Sequence, residues 1–123
     1  MKRLEYALVG LLALGATGHL IGTLTAYQWG TEVFVWSLTA VCYVFLIVFL
    51  QLLRINRLDD RPVMIAATIA TAAWVVLALG FGHAIGNVFD LRALMHAGVS
   101  AALLVTTFFA RRQPFVEGSS AGR

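Results

Sequence analysis

The stretch LALGATGHLIG at positions 12–22 returns as LALGFGHAIG at positions 77–86, one residue shorter and with the same apolar run before the histidine. The two histidines, His19 and His83, therefore stand 64 residues apart in the same local frame. Self-similarity within one chain is the sequence signature of an architecture built from copies of one unit. We predict that the chain consists of two tandem copies of such a unit.

The composition is that of an integral membrane protein. Of the 123 residues 60% are hydrophobic and only 12% are charged, whereas about a quarter of the residues in soluble domains are charged. A helix that crosses the hydrocarbon core needs roughly 20 apolar residues, and continuous apolar runs lack the alternation of barrel strands. We predict an all-α, polytopic membrane four-helix bundle in which each repeat supplies two helices, with spans at about 4–26, 33–53, 63–87 and 91–110.

These spans form one transmembrane domain over residues 1–112, and the polar segment 113–123, which contains glycine and serine, is predicted to be a disordered cytoplasmic tail. Of the nine lysines and arginines, all except Arg92 lie before span 1, between spans 2 and 3, or after span 4. The positive-inside rule then predicts a bacterial-type cytoplasmic (inner) membrane protein with both termini in the cytoplasm. The basic residues form no cluster typical of nucleic-acid binding, so no nucleic-acid partner is expected.

All three histidines fall in the outer third of the predicted bilayer, near the outer ends of spans 1, 3 and 4. Ionisable residues within membrane spans are costly and often functional. The repeat favours His19 and His83 as two axial ligands of haem b, facing each other across the bundle, with His96 as a further cofactor-binding candidate.

A second interpretation is a zinc or copper site formed by His19, His83 and His96, with Glu32 or Asp90 as an additional ligand from the outer turns. A third is structural, since one hydrogen bond to a carbonyl or threonine satisfies a neutral imidazole. The glycines that flank the repeated histidines predict close helix packing in lipid, because each pair has Gly-x-x-x-Gly spacing; they are Gly18, Gly22, Gly82 and Gly86.

Catalytic chemistry has no visible basis in the sequence. The chain has a single cysteine, Cys42, and no serine, histidine and acid arranged as a nucleophilic site, no carboxylate pair within a span and no phosphate-binding loop. We expect a non-enzymatic accessory or binding subunit that lies in the lipid bilayer and packs in a homo-oligomer or a larger membrane complex. The alternative is a small transporter or channel, although such proteins generally carry a charged group near the midplane.

Overall fold

The protein is described by a computed structural model over residues 2–110, and this part of the chain contains four α-helices. Each is long and apolar enough to cross a membrane, which confirms the predicted helical class and the number of spans. The segment 113–123 lies outside the described residues. The helices are α1 (Lys2–Ala26), α2 (Glu32–Asn56), α3 (Arg61–Ala84) and α4 (Leu91–Ala110).

Short polar side chains begin three of the helices. The Thr31 hydroxyl accepts from the backbone N–H of Phe34 at the start of α2, and Asp60 accepts from Val63 at the start of α3. Asp90 accepts from the backbone of Arg92 in the first turn of α4. These bonds satisfy amide groups that have no partner within a helix. The caps therefore fix where the helices begin after the connections 27–31, 57–60 and 85–90.

The four helices form a closed ring. Helices that follow one another in sequence pack together, and α4 packs against α1. The start of α1, the connection 57–60 and the end of α4 lie at one end of the bundle, here called the terminal end. The connections 27–31 and 85–90 lie at the other, the loop end. We call α1 and α2 the first hairpin and α3 and α4 the second hairpin.

Apolar side chains fill the middle of the ring. Leu12, Ile47 and Leu103 are among the most deeply buried, and they pack in one cluster with smaller residues from the same helices. Many large apolar side chains, such as Leu14, Ile69 and Val76, instead point outward. Such an outer surface is costly in water and favourable in lipid, in keeping with the predicted membrane location.

A chain of buried polar side chains closes the terminal end. Arg54, which the charge pattern places in the connection between spans 2 and 3, lies within α2 and is 2% exposed. Its Nη2 donates to Glu5 Oε1 at 2.8 Å and its Nε donates to Gln51 Oε1 at 2.7 Å. Gln51 Nε2 then donates to Thr71 Oγ1 at 2.8 Å. This terminal-end network (Glu5, Arg54, Gln51 and Thr71) links α1, α2 and α3.

Candidate functional site

The structure places the two repeated histidines in different surroundings. His19 is half-buried and faces the inside of the bundle from α1. His83 lies in the last turn of α3, which ends at Ala84 rather than continuing to residue 87 as the apolar pattern predicts, and its side chain is exposed. The structure therefore does not place His83 beside His19 in the interior of the bundle.

His19 belongs to a hydrogen-bonded group that joins α1 to α2. Its Nε2 lies 3.1 Å from Ser37 Oγ, which lies 2.7 Å from Thr23 Oγ1. Thr23 donates its hydroxyl proton to the backbone carbonyl of His19 at 2.8 Å, so Ser37 must donate to Thr23 and accept from His19. Since a hydroxyl has only one proton to give, this network assigns the N–H to Nε2 and leaves Nδ1 of a neutral His19 as the acceptor.

His96, and not His83, is the second histidine of the site. It projects from α4 toward α1, where a Cβ on Gly15 would lie 3.1 Å from its Cε1 atom. On the other side its ring meets that of Trp74 edge to face, with ring centroids 5.7 Å apart. Glycine at position 15 therefore makes room for the imidazole. The sequence pattern contains this glycine within the repeat but does not show which helix it meets.

Three polar atoms beside this packing are buried and lack a hydrogen-bond partner in the described part of the chain: Trp74 Nε1, His96 Nδ1 and Ser100 Oγ. His96 and Ser100 lie one turn apart on α4. A buried polar group without a partner costs about 1–3 kcal/mol, and such groups are uncommon in native proteins. In the half of the bundle nearer the loop end, here called the loop half, the buried polar groups thus have fewer hydrogen-bond partners than those of the terminal-end network.

Two open clefts enter the loop half of the bundle. The first, of about 450 Å³, runs between α1 and α4, and the second, of about 570 Å³, enters mainly between α2 and α3. Their walls are largely apolar. Both clefts are lined by the same four residues, which we call the junction: His19, Tyr27, Arg92 and His96.

The glycines of the repeat also separate into different roles. Gly18 and Gly22 line the first cleft, and a Cβ on either would meet nothing within 4 Å. A Cβ on Gly82 would lie 3.2 Å from the backbone oxygen of Asn87 and 3.4 Å from Ala93 Cβ. Gly86 lies beyond α3 with a φ of +70°. Of these four predicted packing glycines, only Gly82 lies at a close helix contact within the described chain.

The predicted three-histidine metal site is not assembled either. Among residues 2–110 there is no group of three or more histidine, cysteine, aspartate or glutamate side chains arranged to hold a metal ion. The reason is the position of His83, which is exposed at the end of α3, whereas His19 and His96 belong to the junction. The cluster of three predicted from depth alone is reduced to a pair.

An ion pair stands at the mouth of the clefts. Arg92 donates from Nε to Asp90 Oδ1 at 3.0 Å and from Nη2 to Oδ2 at 2.9 Å. These hydrogen bonds lower the pKa of Asp90 to about 2. The guanidinium carbon also lies 5.8 Å from the centroid of the Phe81 ring. Asp90 in the connection 85–90 and Phe81 in α3 therefore hold Arg92 in place at the junction.

Neither protein-family models, nor curated proteins, nor solved structures match this chain. Its function is therefore inferred from the clefts and the junction.

Proposed function

We propose that this small integral membrane protein is a non-enzymatic binding subunit that takes a lipophilic ligand from the bilayer and holds it at the junction. The observation that carries the proposal is that two open clefts, one in the α1–α4 groove and one in the α2–α3 groove, are lined in common by His19, Tyr27, Arg92 and His96. Ligand pockets are typically clefts of roughly 300–1,000 Å³ with apolar walls and a few convergent polar groups. Both clefts have that character.

The two ends of the bundle differ in a way that suits binding. The terminal end is held by buried charged and polar bonds. The loop half contains the clefts, and three buried polar atoms near them have no partner among the described residues. Rigid support next to a cleft is what a binding site requires. The ligand is expected to contact the histidine pair, since His19 comes from the first hairpin and His96 from the second.

Two ligand chemistries suit such a pair. An amphiphile would accept hydrogen bonds at the junction and place its apolar part in the clefts. Haem b would instead be coordinated by the two imidazoles, one from each hairpin; this version uses His96 in place of His83 and requires the His96 ring to leave its contacts with Gly15 and Trp74. Both chemistries make the chain a binding subunit of the membrane.

Orientation and assembly are part of the proposal. Lys2, Arg3, Arg57 and Arg61 all lie at the terminal end, and Arg92 lies at the loop end, which supports a terminal end in the cytoplasm of a bacterial-type cell. Small residues on the outer surface, such as Gly10 and others with no neighbour within 4 Å, would allow close approach of another helix in lipid. We therefore expect a homo-oligomer or a larger membrane complex.

The test is to purify the protein from membranes in mild detergent, record its visible absorption spectrum and identify organic-extractable ligands by mass spectrometry. The proposal expects a stoichiometric ligand that is lost in the His19→Ala/His96→Ala double variant and retained in His83→Ala. A Soret band with that dependence would identify haem, and a lipid with that dependence would identify an amphiphile. A wild-type protein whose extract matches that of the double variant would contradict the proposal.

A small transporter or channel is the second candidate, and the buried pair of Glu5 and Arg54 favours it, because ionisable groups within spans often mark ion pathways. The pathway is interrupted, however. On α1 the buried residues Val9, Leu12 and Ala16 separate Glu5 from His19. Binding therefore accounts for more of the structure than conduction.

Proteoliposomes that contain a pH-sensitive dye separate the two candidates. The binding proposal expects proton and cation flux equal to that of protein-free vesicles. Faster flux that Glu5→Gln abolishes, and that the exposed control Asp59→Asn leaves unchanged, would establish the transporter instead.

A further inference from the structure

We propose that the ligand is a two-chain phospholipid with an amine-bearing head group, which places one acyl chain in each cleft and its phosphate at Arg92 and Tyr27. The inference rests on the proposed binding function and specifies its ligand. It uses the shape of the two clefts, the donors at the junction and the charges at the loop end.

The shape of the cavity is branched. The first cleft lies in the α1–α4 groove and the second in the α2–α3 groove, and what they share is the junction. Tyr27 lies in the connection after α1 and Arg92 in the first turn of α4, so the polar part of the junction is at the loop end. A molecule that fills both clefts has one polar part and two apolar branches. A single-chain amphiphile leaves one cleft without a branch.

The junction is rich in hydrogen-bond donors. Asp90 engages Nε and Nη2 of Arg92, and a guanidinium has five N–H donors, so Nη1 is left for a second acceptor. The phenol of Tyr27 adds another donor at the same mouth. Arginine and other donors that converge near the membrane surface are suited to a phosphate group.

A residue of opposite charge lines the same cleft as these donors. Glu32 is exposed at the start of α2 and lines the second cleft together with Tyr27 and Arg92. A carboxylate beside an arginine repels a purely anionic head group but complements one that carries both a phosphate and an ammonium. The loop end therefore favours a zwitterionic phospholipid over an anionic one.

The walls of the clefts suit acyl chains. Leu11, Met95 and Val99 line the first cleft and Leu77 and Phe81 the second. In the first cleft, Gly22 contributes no side chain and has no neighbour within 4 Å of a Cβ position. A chain that enters from the bilayer exchanges one apolar environment for another, so specificity must come from the head group and from the number of branches.

The experiment is native mass spectrometry of the detergent-purified full chain, titrated with phosphatidylethanolamine, its one-chain lyso form and phosphatidylglycerol. We expect phosphatidylglycerol to bind about tenfold more weakly than phosphatidylethanolamine, since loss of one good charged contact is worth about that factor. The lyso form keeps the head group but leaves one cleft empty, and we expect it also to bind about tenfold more weakly, because the lining of the empty cleft then has no partner atoms. Arg92→Gln should weaken phosphatidylethanolamine binding by a similar factor, and the exposed terminal-end control Arg57→Gln should not. Glu32→Gln should remove the preference over phosphatidylglycerol.

Two cleft-filling variants test the branches separately. Gly22→Leu is designed to fill the first cleft, where a Cβ at position 22 meets nothing within 4 Å, and Ala40→Leu to fill the second cleft, which Ala40 lines. Each should make the one-chain and two-chain lipids bind with similar affinity. Thermal melts of the variants in the same detergent establish that they are folded.

The outcomes separate this inference from the proposed function. If one-chain and two-chain lipids bind equally to the wild type, and His19→Ala/His96→Ala weakens both, the clefts bind a ligand but the two-chain assignment is wrong. If bound lipid is the same for the wild type, for Arg92→Gln and for the cleft-filling variants, the lipid is an adventitious additive only and the phospholipid assignment is wrong. The proposed function fails as well only if the extract of the His19→Ala/His96→Ala variant also matches that of the wild type.

Discussion

The two hairpins contain similar segments, at 12–22 and 77–86, but different interactions hold their helices together. In the first hairpin, hydrogen bonds join the helices at both ends, through His19 and Ser37 at the loop end and through Glu5 and Arg54 at the terminal end. Among the described residues of the second hairpin, no side-chain hydrogen bond joins α3 to α4. Those helices are joined by close contact, as where Gly82 meets Ala93.

The two similar segments around His19 and His83 differ in which residue faces inward. In the first copy the histidine faces the bundle interior and Gly18 is exposed, whereas in the second copy Gly82 is buried and His83 is exposed. Adjacent residues on a helix differ by 100° in direction, so the copies use neighbouring faces of the same motif. The first segment therefore places a hydrogen-bonding side chain in the interior, whereas the second places a glycine there that lets α4 approach closely.

The largest effect should follow from breaking a polar bond of the first hairpin. Arg54→Ala would leave the carboxylate of Glu5 buried without its partner, which costs about 3–5 kcal/mol of unfolding free energy. The exposed Arg57→Ala should change it by less than about 0.5 kcal/mol. Reversible unfolding in mixed micelles, followed by circular dichroism, measures both. Equal stability of the two variants would mean that the first hairpin does not depend on its buried ion pair.

The second hairpin should instead respond to volume. Gly82→Ala would place a Cβ 3.2 Å from the backbone oxygen of Asn87, and overpacking of this kind costs about 1–3 kcal/mol. Gly18→Ala, its counterpart in the repeat, meets nothing within 4 Å and should be neutral or stabilising by up to about 1 kcal/mol through helix propensity. The same unfolding assay compares them. A more damaging Gly18→Ala would reverse the assigned roles of the two glycines.

For the two histidines, in contrast to the two glycines, the substitution in the first hairpin should be the more damaging one. His19→Ala removes the donor to Ser37 and should lower the unfolding free energy by about 1–2 kcal/mol. His83→Ala removes an exposed side chain and should stay within about 0.5 kcal/mol of the wild type. Thermal melts in one detergent, without added ligand, are sufficient. Equal losses would indicate that the two copies are structurally equivalent after all.

Much of the fold follows from the sequence, because length and apolar character alone decide that a segment crosses a membrane. The four spans were predictable for that reason. The interior of the site was not, because it depends on which helical face turns inward and on where a helix ends. The inward-facing position shifts by one residue between the two segments, so His19 faces inward whereas His83 is exposed. Because α3 ends at Ala84, Gly86 lies outside the helix.

The contacts of the terminal-end network could not be predicted from the sequence either. Glu5 and Arg54 stand near span ends, where charged residues are ordinarily taken as solvated. Their spacing in sequence says nothing about their contact, because α1 and α2 meet only through the fold. The i, i+3 spacing of Gln51 and Arg54 is the one local signal that these polar side chains share a helix face.

A smaller difference is expected between the last glycines of the two copies. Gly86 adopts a φ of +70° after the end of α3, a conformation that costs a residue with a side chain roughly 1 kcal/mol. Gly22 lies within α1, so Gly22→Ala should not be destabilising, whereas Gly86→Ala should be. Urea or SDS titration of the two variants tests this. If Gly86→Ala proves as stable as Gly22→Ala, the left-handed turn is not required for the entry into α4.

The smallest effect concerns the ion pair of the second hairpin, which is local to the start of α4 and does not join two helices. The pKa of Asp90 is about 2, below its usual 3.8, because Arg92 donates to the carboxylate. A group with a depressed folded pKa contributes its full stabilisation above the unfolded pKa and loses it as the pH falls through the folded pKa. The stability difference between the wild type and Asp90→Asn should therefore be constant above about pH 5 and shrink between pH 4 and pH 2. Unfolding midpoints measured across that range test the prediction, with the exposed Asp59→Asn as the matched control. A difference that grows on acidification would mean that Asp90 is stabilised as the protonated acid and that Arg92 does not hold it at the mouth of the clefts.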